Sequence, residues 1–241
     1  MCFTPRQNLV RNITVVPHDV VDIIVNDLVA VMNSRNGHEF HVALTGGRAG
    51  GLISQQFLER PEVASNKMLH IWWSDERYVN RDDELRNDFV VNTCEIAGRI
   101  HSVNGPDSSS SIEDSALAYS TQLHQFTTTR FCAYNTLMDV TLLSIGPDGH
   151  IASLFPHSPQ LDATAGIIAI TDSPKPPAHR VTWTFPTINA SEQVWLFATG
   201  EEKRHAVSQV IANVDVHDIP AAGARGKKET RLYLDTQASS L

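Results

Sequence analysis

Cysteine and positive charge are both scarce in this sequence of 241 residues. It holds three cysteines with no CxxC spacing, which excludes a disulfide framework and a zinc site built on cysteines alone. Lysine and arginine number 19 against 27 aspartates and glutamates, a formal net charge of −8. Nucleic-acid binders usually carry a basic face, so we expect no nucleic-acid partner. A small anionic ligand is still compatible, because a local group of basic side chains can override the net charge.

Long apolar runs are also missing. No stretch approaches the roughly 18 consecutive apolar residues of a membrane-spanning helix, and residues 1–8 lack the apolar core of a secretory signal. We therefore expect no membrane association and a location in the reducing cytoplasm. Hydrophobic residues make up 41% of the chain, which is typical of a globular protein with one core. We expect residues 1–241 to form a single domain.

Short apolar segments alternate with amphipathic ones along the chain. The pattern predicts strands at 40–44, 68–73, 140–145, 166–170, 180–184, 194–198 and 231–234, and helices at 18–35, 50–59, 85–97, 112–127 and 201–213. Such alternation is typical of βαβ units, so we predict a single α/β domain with a mostly parallel twisted sheet, helices on both faces and a Rossmann-like architecture. Ligands of such sheets bind beyond the carboxyl ends of the strands.

Two of the predicted strands end in turns whose residues are suited to binding a ligand. Residues 44–48 read LTGGR; the glycines let the backbone approach an anion, the next helix offers free N–H groups, and Arg48 adds charge. A plain tight turn is the more frequent meaning of a glycine pair. Residues 75–77 read DER, a set suited to a sugar hydroxyl and a phosphate, or equally to a surface ion pair.

The segment 146–156, GPDGHIASLFP, is the densest in polar and turn residues. Pro147 and Gly149 favour a sharp turn that presents Asp148 and His150 at the sheet edge. Histidine is suited to general-base work near neutral pH, although it could simply cap the following helix. His157 follows seven residues later without a third ligand at metal-site spacing, so we expect no metal.

Two further basic positions lie next to predicted strands. Lys203, in the GEEKR segment 200–204, can reach a phosphate from the first turn of a helix, while a solvated helical face is the simpler interpretation. Arg180 begins another strand and is either an anion ligand or an ordinary charge on an edge strand.

In their order and spacing these segments resemble the 6-phosphogluconolactonase family, which shares a superfamily with glucosamine-6-phosphate deaminase. The matching stretches are 44–47, 75–77, 146–150, 153–156 and 177–182, with Gly200 and Lys203. The resemblance spans about residues 14–238, and GPDGH followed by SLFP is its most specific part. It implies hydrolysis of 6-phosphoglucono-δ-lactone, a phosphorylated sugar lactone, in the pentose phosphate pathway without metal or organic cofactor.

The resemblance also implies roles for individual residues. His150 corresponds to a general base that activates water, and Asp148 helps to place or polarise that region. Candidate binders of phosphate and sugar are Gly46, Gly47, Arg48, Asp75, Arg77, Asn87, Arg180 and Lys203. No G-x-S-x-G nucleophile elbow is present, which favours direct attack by water.

Two departures from the family pattern affect the predicted site. The paired glycines are followed by RAG, residues 48–50, where members often have a hydroxyl residue and a proline. Arg86 stands where a serine usually precedes the asparagine, so only Asn87 is carried over.

Two alternatives remain beside the lactonase. A sugar-phosphate deaminase or isomerase on the same scaffold would have a glutamate before the proline of the SLFP stretch, where this chain has Phe155. A non-enzymatic sugar-phosphate sensor would need a DNA-reading module, and only about seventeen residues precede the first predicted helix. The oligomeric state is left open, a monomer included. We expect the unassigned histidines to be mostly surface residues: His101, His124, His157 and His217.

Overall fold

A computed structural model describes residues 12–16 and 19–239 and places ten strands and six α-helices in them. The strands are β1 (Asn12–Val16), β2 (Phe40–Leu44), β3 (Leu69–Trp73), β4 (Asp75–Arg77), β5 (Arg99–Ile100), β6 (Val140–Ser144), β7 (Ile167–Ile170), β8 (Arg180–Trp183), β9 (Gln193–Ala198) and β10 (Glu229–Asp235). The helices are α1 (Val20–Asn33), α2 (Gly47–Leu58), α3 (Pro61–Ala64), α4 (Ile112–Tyr134), α5 (Phe185–Ile188) and α6 (Arg204–Ile211).

Seven strands form one sheet in the order β1-β10-β9-β6-β2-β3-β5. Every pair of neighbours in it is parallel. The predicted α/β class with a mostly parallel sheet is therefore confirmed. Among the described residues, no helix has the length and apolar character needed to cross a membrane.

Side chains of the central strands point alternately to two hydrophobic cores. In β2, Val42 faces the core shared with α1 and α2, whereas Ala43 faces the core shared with α4 and α6. Trp195 and Leu196 of β9 divide between the two cores in the same way. Both faces of the sheet are thus covered by helices, which is why its strands are continuous apolar runs.

The predicted strands at 166–170 and 180–184 do not belong to the parallel sheet. They form β7 and β8, which pair antiparallel with each other and with β4 in a separate three-stranded sheet. The proline-rich segment that joins β7 to β8 spans 171–179. It is too short for the crossover that parallel neighbours need, so the two strands pair antiparallel.

Three predicted helices differ from the structure. The one predicted at 112–127 continues to Tyr134 as α4. The helix predicted at 85–97 is a 3₁₀ helix at Asn87–Thr93. The helix predicted at 201–213 opens as a 3₁₀ turn at Glu201–Lys203 before α6 begins. The sequence pattern also did not predict β1, which pairs with β10 at one edge of the sheet. The start of the first predicted helix, residue 18, lies outside the described residues.

The strand order places the predicted turns at one edge of the sheet. β2 and β6 are neighbours; the chain leaves β2 towards β3 on one side and leaves β6 towards β9 on the other. This reversal creates a crevice beyond the carboxyl ends of β2 and β6. The turns that follow β2, β3, β6 and β9 all open onto that edge, because the strands are parallel.

Candidate active site

A cavity of about 200 Å³ lies beyond the carboxyl ends of β2, β3 and β6. It is lined by Thr45, Gly46, Gly47, Asp75, Arg77, Asn87, Ser144, His150, Ala152, Lys175, Pro176 and Arg180. Seven of the ten predicted site residues are among them, and Asp148, Arg48 and Lys203 lie close to the cavity without lining it. A wider groove of about 630 Å³, lined in part by Arg48, adjoins it and shares Gly46, Gly47, Arg77 and Asn87.

The turn after β6 brings His150 against Asp148 and Lys175. The His150 Nδ1 atom is hydrogen-bonded to Oδ1 of Asp148. The Lys175 Nζ atom lies 3.2 Å from that same Nδ1 and 3.4 Å from each carboxylate oxygen of Asp148. Backbone hydrogen bonds from Gly146 to His150 and from Gly149 to Gly146, both 2.9 Å, close the turn, and Gly149 has a φ of 82°, which glycine adopts without strain.

The partners of His150 define which of its ring nitrogens carries the proton. An ionised carboxylate only accepts, so the bond to Asp148 assigns the proton to Nδ1 and the lone pair to Nε2. The Lys175 ammonium, itself a donor, then lies beside Nδ1–H without a hydrogen bond to it. Burial alone would raise the pKa of Asp148, but the hydrogen bond from His150 and the charges of His150 and Lys175 lower it. Asp148 is therefore ionised and fixes this tautomer. Phe155 stacks on the imidazole with ring centroids 4.7 Å apart and limits its rotation.

Asp75 is buried and holds three neighbours rather than facing outward. Its Oδ2 atom accepts from Ser153 Oγ at 2.7 Å, and its Oδ1 atom accepts from Asn87 Nδ2 at 3.2 Å. Arg180 Nη1 lies 3.6 Å from Oδ2. Asn87 in turn packs so closely on Gly46 that a Cβ at Gly46 would lie 1.7 Å from its Oδ1 atom. Asp75 thus contacts two of the predicted binders, Asn87 and Arg180, and contact with a sugar hydroxyl stays a prediction.

Most N–H groups of the Arg180 guanidinium donate hydrogen bonds to backbone carbonyls. Its Nε donates to the carbonyl of Pro177 at 3.0 Å, and its Nη2 donates to the carbonyls of Lys175 at 3.0 Å and Pro176 at 3.1 Å. These bonds hold the segment that carries Lys175. Arg180 lines the cavity, but its geometry is that of a residue that positions Lys175.

Glu76 anchors the loop that carries Asn87. It is fully buried and accepts from the backbone N–H groups of Arg77 and Asn87, both at 2.7 Å, and of Asp88 at 2.9 Å. Burial and the charge of Asp88 raise the pKa of Glu76 to about 8. Arg86, which replaces the family's serine, is buried and pairs with Asp88 at 2.7 Å, so this departure is accommodated by an internal ion pair.

Glu76→Ala is expected to lower the free energy of unfolding by at least about 2 kcal/mol, because two buried N–H groups, those of Asn87 and Asp88, would lose their acceptor at about 1–3 kcal/mol each. Urea unfolding followed by circular dichroism measures this loss. The control is Glu62→Ala, an exposed carboxylate whose removal should cost no more than about 0.5 kcal/mol. A loss below about 1 kcal/mol for Glu76→Ala would show that water replaces the carboxyl group.

Basic side chains gather around the cavity from separate elements. Lys203 Nζ lies 3.4 Å from Ser144 Oγ at the end of β6. Burial lowers the pKa of Lys203, and the charges of Lys175 and Arg48 act in the same direction, against Glu202 and Asp235. Arg48 is exposed at the first turn of α2. The N–H groups at the start of that helix face the same region, which is therefore suited to an anion.

Lys175 and Ser144 are the cavity residues that the sequence did not indicate. Lys175 lies between prolines in the segment SPKPP, 173–177, and a lysine held in a rigid segment near a strand end was the available signal. Of the unassigned histidines, His124, His157 and His217 are exposed as expected. His101 is not: it is buried against Trp72, with ring centroids 3.6 Å apart.

Comparison with known proteins gives consistent matches. Residues 13–233 match a family model described as glucosamine-6-phosphate isomerases/6-phosphogluconolactonase. The chain is 37% identical over 208 residues to a 6-phosphogluconolactonase of Mycobacterium tuberculosis, covering 83% of each chain. It is 35% identical over 210 residues to one of Streptomyces coelicolor, covering 83% of this chain and 80% of that one.

Solved structures share the fold. A 6-phosphogluconolactonase of Thermotoga maritima matches with a TM-score of 0.80 and 25% identity, over 94% of this chain and 100% of that one. One of Trypanosoma cruzi matches with a TM-score of 0.84 and 21% identity, over 98% of both chains. A monomeric glucosamine-6-phosphate deaminase also matches, with a TM-score of 0.75 and 18% identity over 95% of this chain and 99% of that one.

Proposed function

Because this chain belongs to the family of glucosamine-6-phosphate isomerases and 6-phosphogluconolactonases, we propose that its cavity hydrolyses 6-phospho-D-glucono-1,5-lactone to 6-phospho-D-gluconate with His150 as the base. The chain is an enzyme of the lactonase type, a carboxylic ester hydrolase of the oxidative branch of the pentose phosphate pathway. The observation that carries the mechanism is the unit of His150, Asp148 and Lys175 at the cavity wall.

The first step is attack of water on the lactone carbonyl. His150 Nε2 takes a proton from water while the water oxygen bonds to the carbonyl carbon, and the carbonyl electron pair moves onto its oxygen. Asp148, hydrogen-bonded to Nδ1–H, stabilises the imidazolium that forms. The Lys175 ammonium also lines the cavity and is the cation that we assign to the developing oxyanion.

The second step opens the ring. The tetrahedral intermediate collapses, the bond to the ring oxygen breaks, and the imidazolium of His150 returns its proton to that oxygen. The products are a carboxylic acid, which ionises, and a free hydroxyl. One histidine thus acts first as base and then as acid, and this chain's residues account for both proton transfers.

The substrate phosphate is proposed to bind where the basic side chains meet the glycine turn. Gly46 and Gly47 lie at the start of α2, where backbone N–H groups face an anion. Arg48, Arg77 and Lys203 add charge from three segments. Asn87 and Asp75 then lie between the phosphate and the base, at the position of the sugar ring.

Lys203→Met is expected to raise KM by about 10–100-fold and to change kcat much less, because a charge-assisted contact to phosphate is worth about 1.5–3 kcal/mol in both ground and transition states. Steady-state kinetics over a wide range of lactone concentrations separates the two constants. Lys67→Met, at an exposed lysine remote from the cavity, is the control. A fall in kcat with constant KM would show that Lys203 acts in the chemical step and does not bind the phosphate.

A sugar-phosphate deaminase or isomerase is the alternative activity on this scaffold. Those reactions need a side chain that relays protons between carbons. The position before Pro156 is Phe155, which is 4% exposed and stacked on His150. Since a phenyl ring can neither accept nor donate a proton, the arrangement favours hydrolysis. A non-enzymatic sugar-phosphate sensor needs no general base, so the pairing of His150 with Asp148 favours an enzyme over a sensor.

The deciding experiment follows hydrolysis of freshly prepared 6-phosphogluconolactone with EDTA present and background hydrolysis subtracted. We expect rapid turnover by the wild-type chain and none of glucosamine 6-phosphate. The lactone without phosphate should be a poor substrate, because it lacks the group that the basic residues bind. Absence of turnover with retained binding of 6-phosphogluconate would support the sensor instead.

We further propose that residues 1–241 act as one domain in the cytoplasm, without nucleic acid or membrane partners. The net charge of −8 supports the absence of a nucleic-acid partner. A phosphorylated sugar lactone is the partner that the family supports.

A further inference from the structure

Two histidines lie side by side at the edge of the sheet opposite the cavity. The parallel register of β2 and β3 pairs His41 with His70, and their rings stack with centroids 4.2 Å apart. Glu39, just before β2, faces both of them: its Oε2 lies 3.6 Å from His41 Nε2, and its Oε1 lies 3.7 Å from His70 Nε2. These three side chains are close but not hydrogen-bonded, since the separations exceed hydrogen-bond length.

The His41 side chain is fully buried, yet its Nε2 atom has no hydrogen-bond partner. Unpaired buried polar atoms are costly and rare in folded proteins. This one points towards the Glu39 carboxylate and the second imidazole. An open cavity of about 840 Å³, lined by both Glu39 and His41, connects the position to solvent.

We propose that Glu39, His41 and His70 form a binding site for one divalent transition-metal ion of the Zn²⁺ type, separate from the catalytic cavity. Among residues 12–16 and 19–239 this is the one group of three histidine, cysteine, aspartate or glutamate side chains whose ligand atoms all lie within 4.8 Å of one another. Two imidazole nitrogens and one carboxylate are a ligand set that suits zinc, with water in the fourth position.

The donor set selects the class of ion. Imidazole nitrogens suit zinc, copper, nickel and cobalt, whereas magnesium and calcium prefer sites of oxygen alone. Burial lowers the pKa of both histidines, to about 2 for His41, so both rings are neutral at physiological pH, as an imidazole ligand must be. Glu39 supplies a negative charge at the solvent side of the site.

The present spacing requires a small closure on binding. Ligands at about 2.0–2.1 Å from zinc lie about 3.3–3.5 Å from one another in a tetrahedral site, and the three atoms are now somewhat further apart. Glu39, with its side chain 53% exposed, is free to move inward. The rings themselves lie on neighbouring strands, so most of the adjustment falls on the carboxylate and on ring rotation.

A second layer of contacts orients the two rings. His70 Nδ1 lies 3.0 Å from His101 Nε2, which fits a Nδ1–H donor and a free Nε2 on His70. His41 Nδ1 accepts from Trp72 Nε1 at 3.3 Å, so the His41 proton is on Nε2 in the metal-free protein. Metal binding moves this proton to Nδ1 and gives up that long hydrogen bond. We therefore expect micromolar rather than nanomolar affinity.

The test titrates the full chain with Co²⁺, whose visible absorption reports nitrogen and oxygen ligands, and then displaces it with Zn²⁺. We expect one ion per chain and a rise in melting temperature with Zn²⁺. Glu39→Gln should weaken binding at least about tenfold and remove the thermal shift. This side chain is exposed, so the variant should fold.

Two variants serve as controls. His38→Gln changes an exposed histidine at the same cavity and should bind the ion as the wild type does. His150→Asn removes the catalytic imidazole and should also leave ion binding intact. The proposal is overturned if the wild type takes up no Co²⁺ or Zn²⁺, if Glu39→Gln binds with wild-type affinity, or if His150→Asn abolishes binding.

Discussion

His150→Asn is expected to lower kcat for 6-phosphogluconolactone by about 10²–10⁴-fold, the range that general acid–base catalysis contributes. The imidazole both takes the proton from water and returns it to the ring oxygen, and asparagine does neither. KM should change little, because the phosphate is bound by other residues. Initial rates with EDTA present and background hydrolysis subtracted measure the loss.

His124→Asn is the matched control, since it makes the same substitution at an exposed histidine of α4. It should keep wild-type kcat and KM. Circular dichroism and urea unfolding establish that both variants are folded. If His150→Asn retained more than about a tenth of the wild-type kcat, His150 would be a binding residue and the base would lie elsewhere in the cavity.

Gly146→Ala is expected to reduce kcat nearly as far as loss of the imidazole, although it removes no polar group. A Cβ at this position would lie 2.0 Å from both Cε1 and Nδ1 of His150 and 2.6 Å from Asp148 Oδ1. The His150 ring must leave its place beside Asp148. Its Nε2 atom is then no longer held in the orientation that faces the substrate. Overpacking of this kind costs about 1–3 kcal/mol of stability, so the variant should still fold.

The control is Gly51→Ala, within α2, where an added Cβ meets nothing within 4 Å. It should retain activity and gain about 0.5–1 kcal/mol of stability, since alanine is favoured over glycine inside a helix. Rate measurements and thermal melts of the two variants give the comparison. Wild-type kcat in Gly146→Ala would mean that His150 acts from a position other than the one seen here.

The central strands were predictable because they are buried on both sides. A parallel strand covered by helices is a continuous apolar run, and β2, β6 and β9 were each located to within a residue or two. β1 was missed because it is short and mostly exposed, so its apolar residues form no clear pattern; Ile13 and Val15 are each 39% exposed. The small antiparallel sheet depends on contacts between distant segments, which periodicity does not report.

The catalytic turn was predictable for a different reason. His150 and Asp148 lie two residues apart, so the turn predicted from the residues around them is enough to bring the two side chains together. Lys175 reaches the same site from 25 residues away, and its placement depends on Arg180 holding the carbonyls around it. A sequence pattern does not show which basic residue a buried arginine will position, so this cation emerged only from the structure.

The position of β1 beside β10 has a consequence for the order of events during synthesis. Among the described strands, β1 lies at the edge of the sheet and pairs with β10 alone, and more than 200 residues separate Val16 from Glu229. At about 5–20 residues per second, the ribosome needs roughly 10–40 s to make that interval. Throughout it, Ile13 and Val15 have no strand to pair with and are open to chaperones. Of the strands that the structure describes, β1 is translated first and is thus among the last to gain its hydrogen bonds.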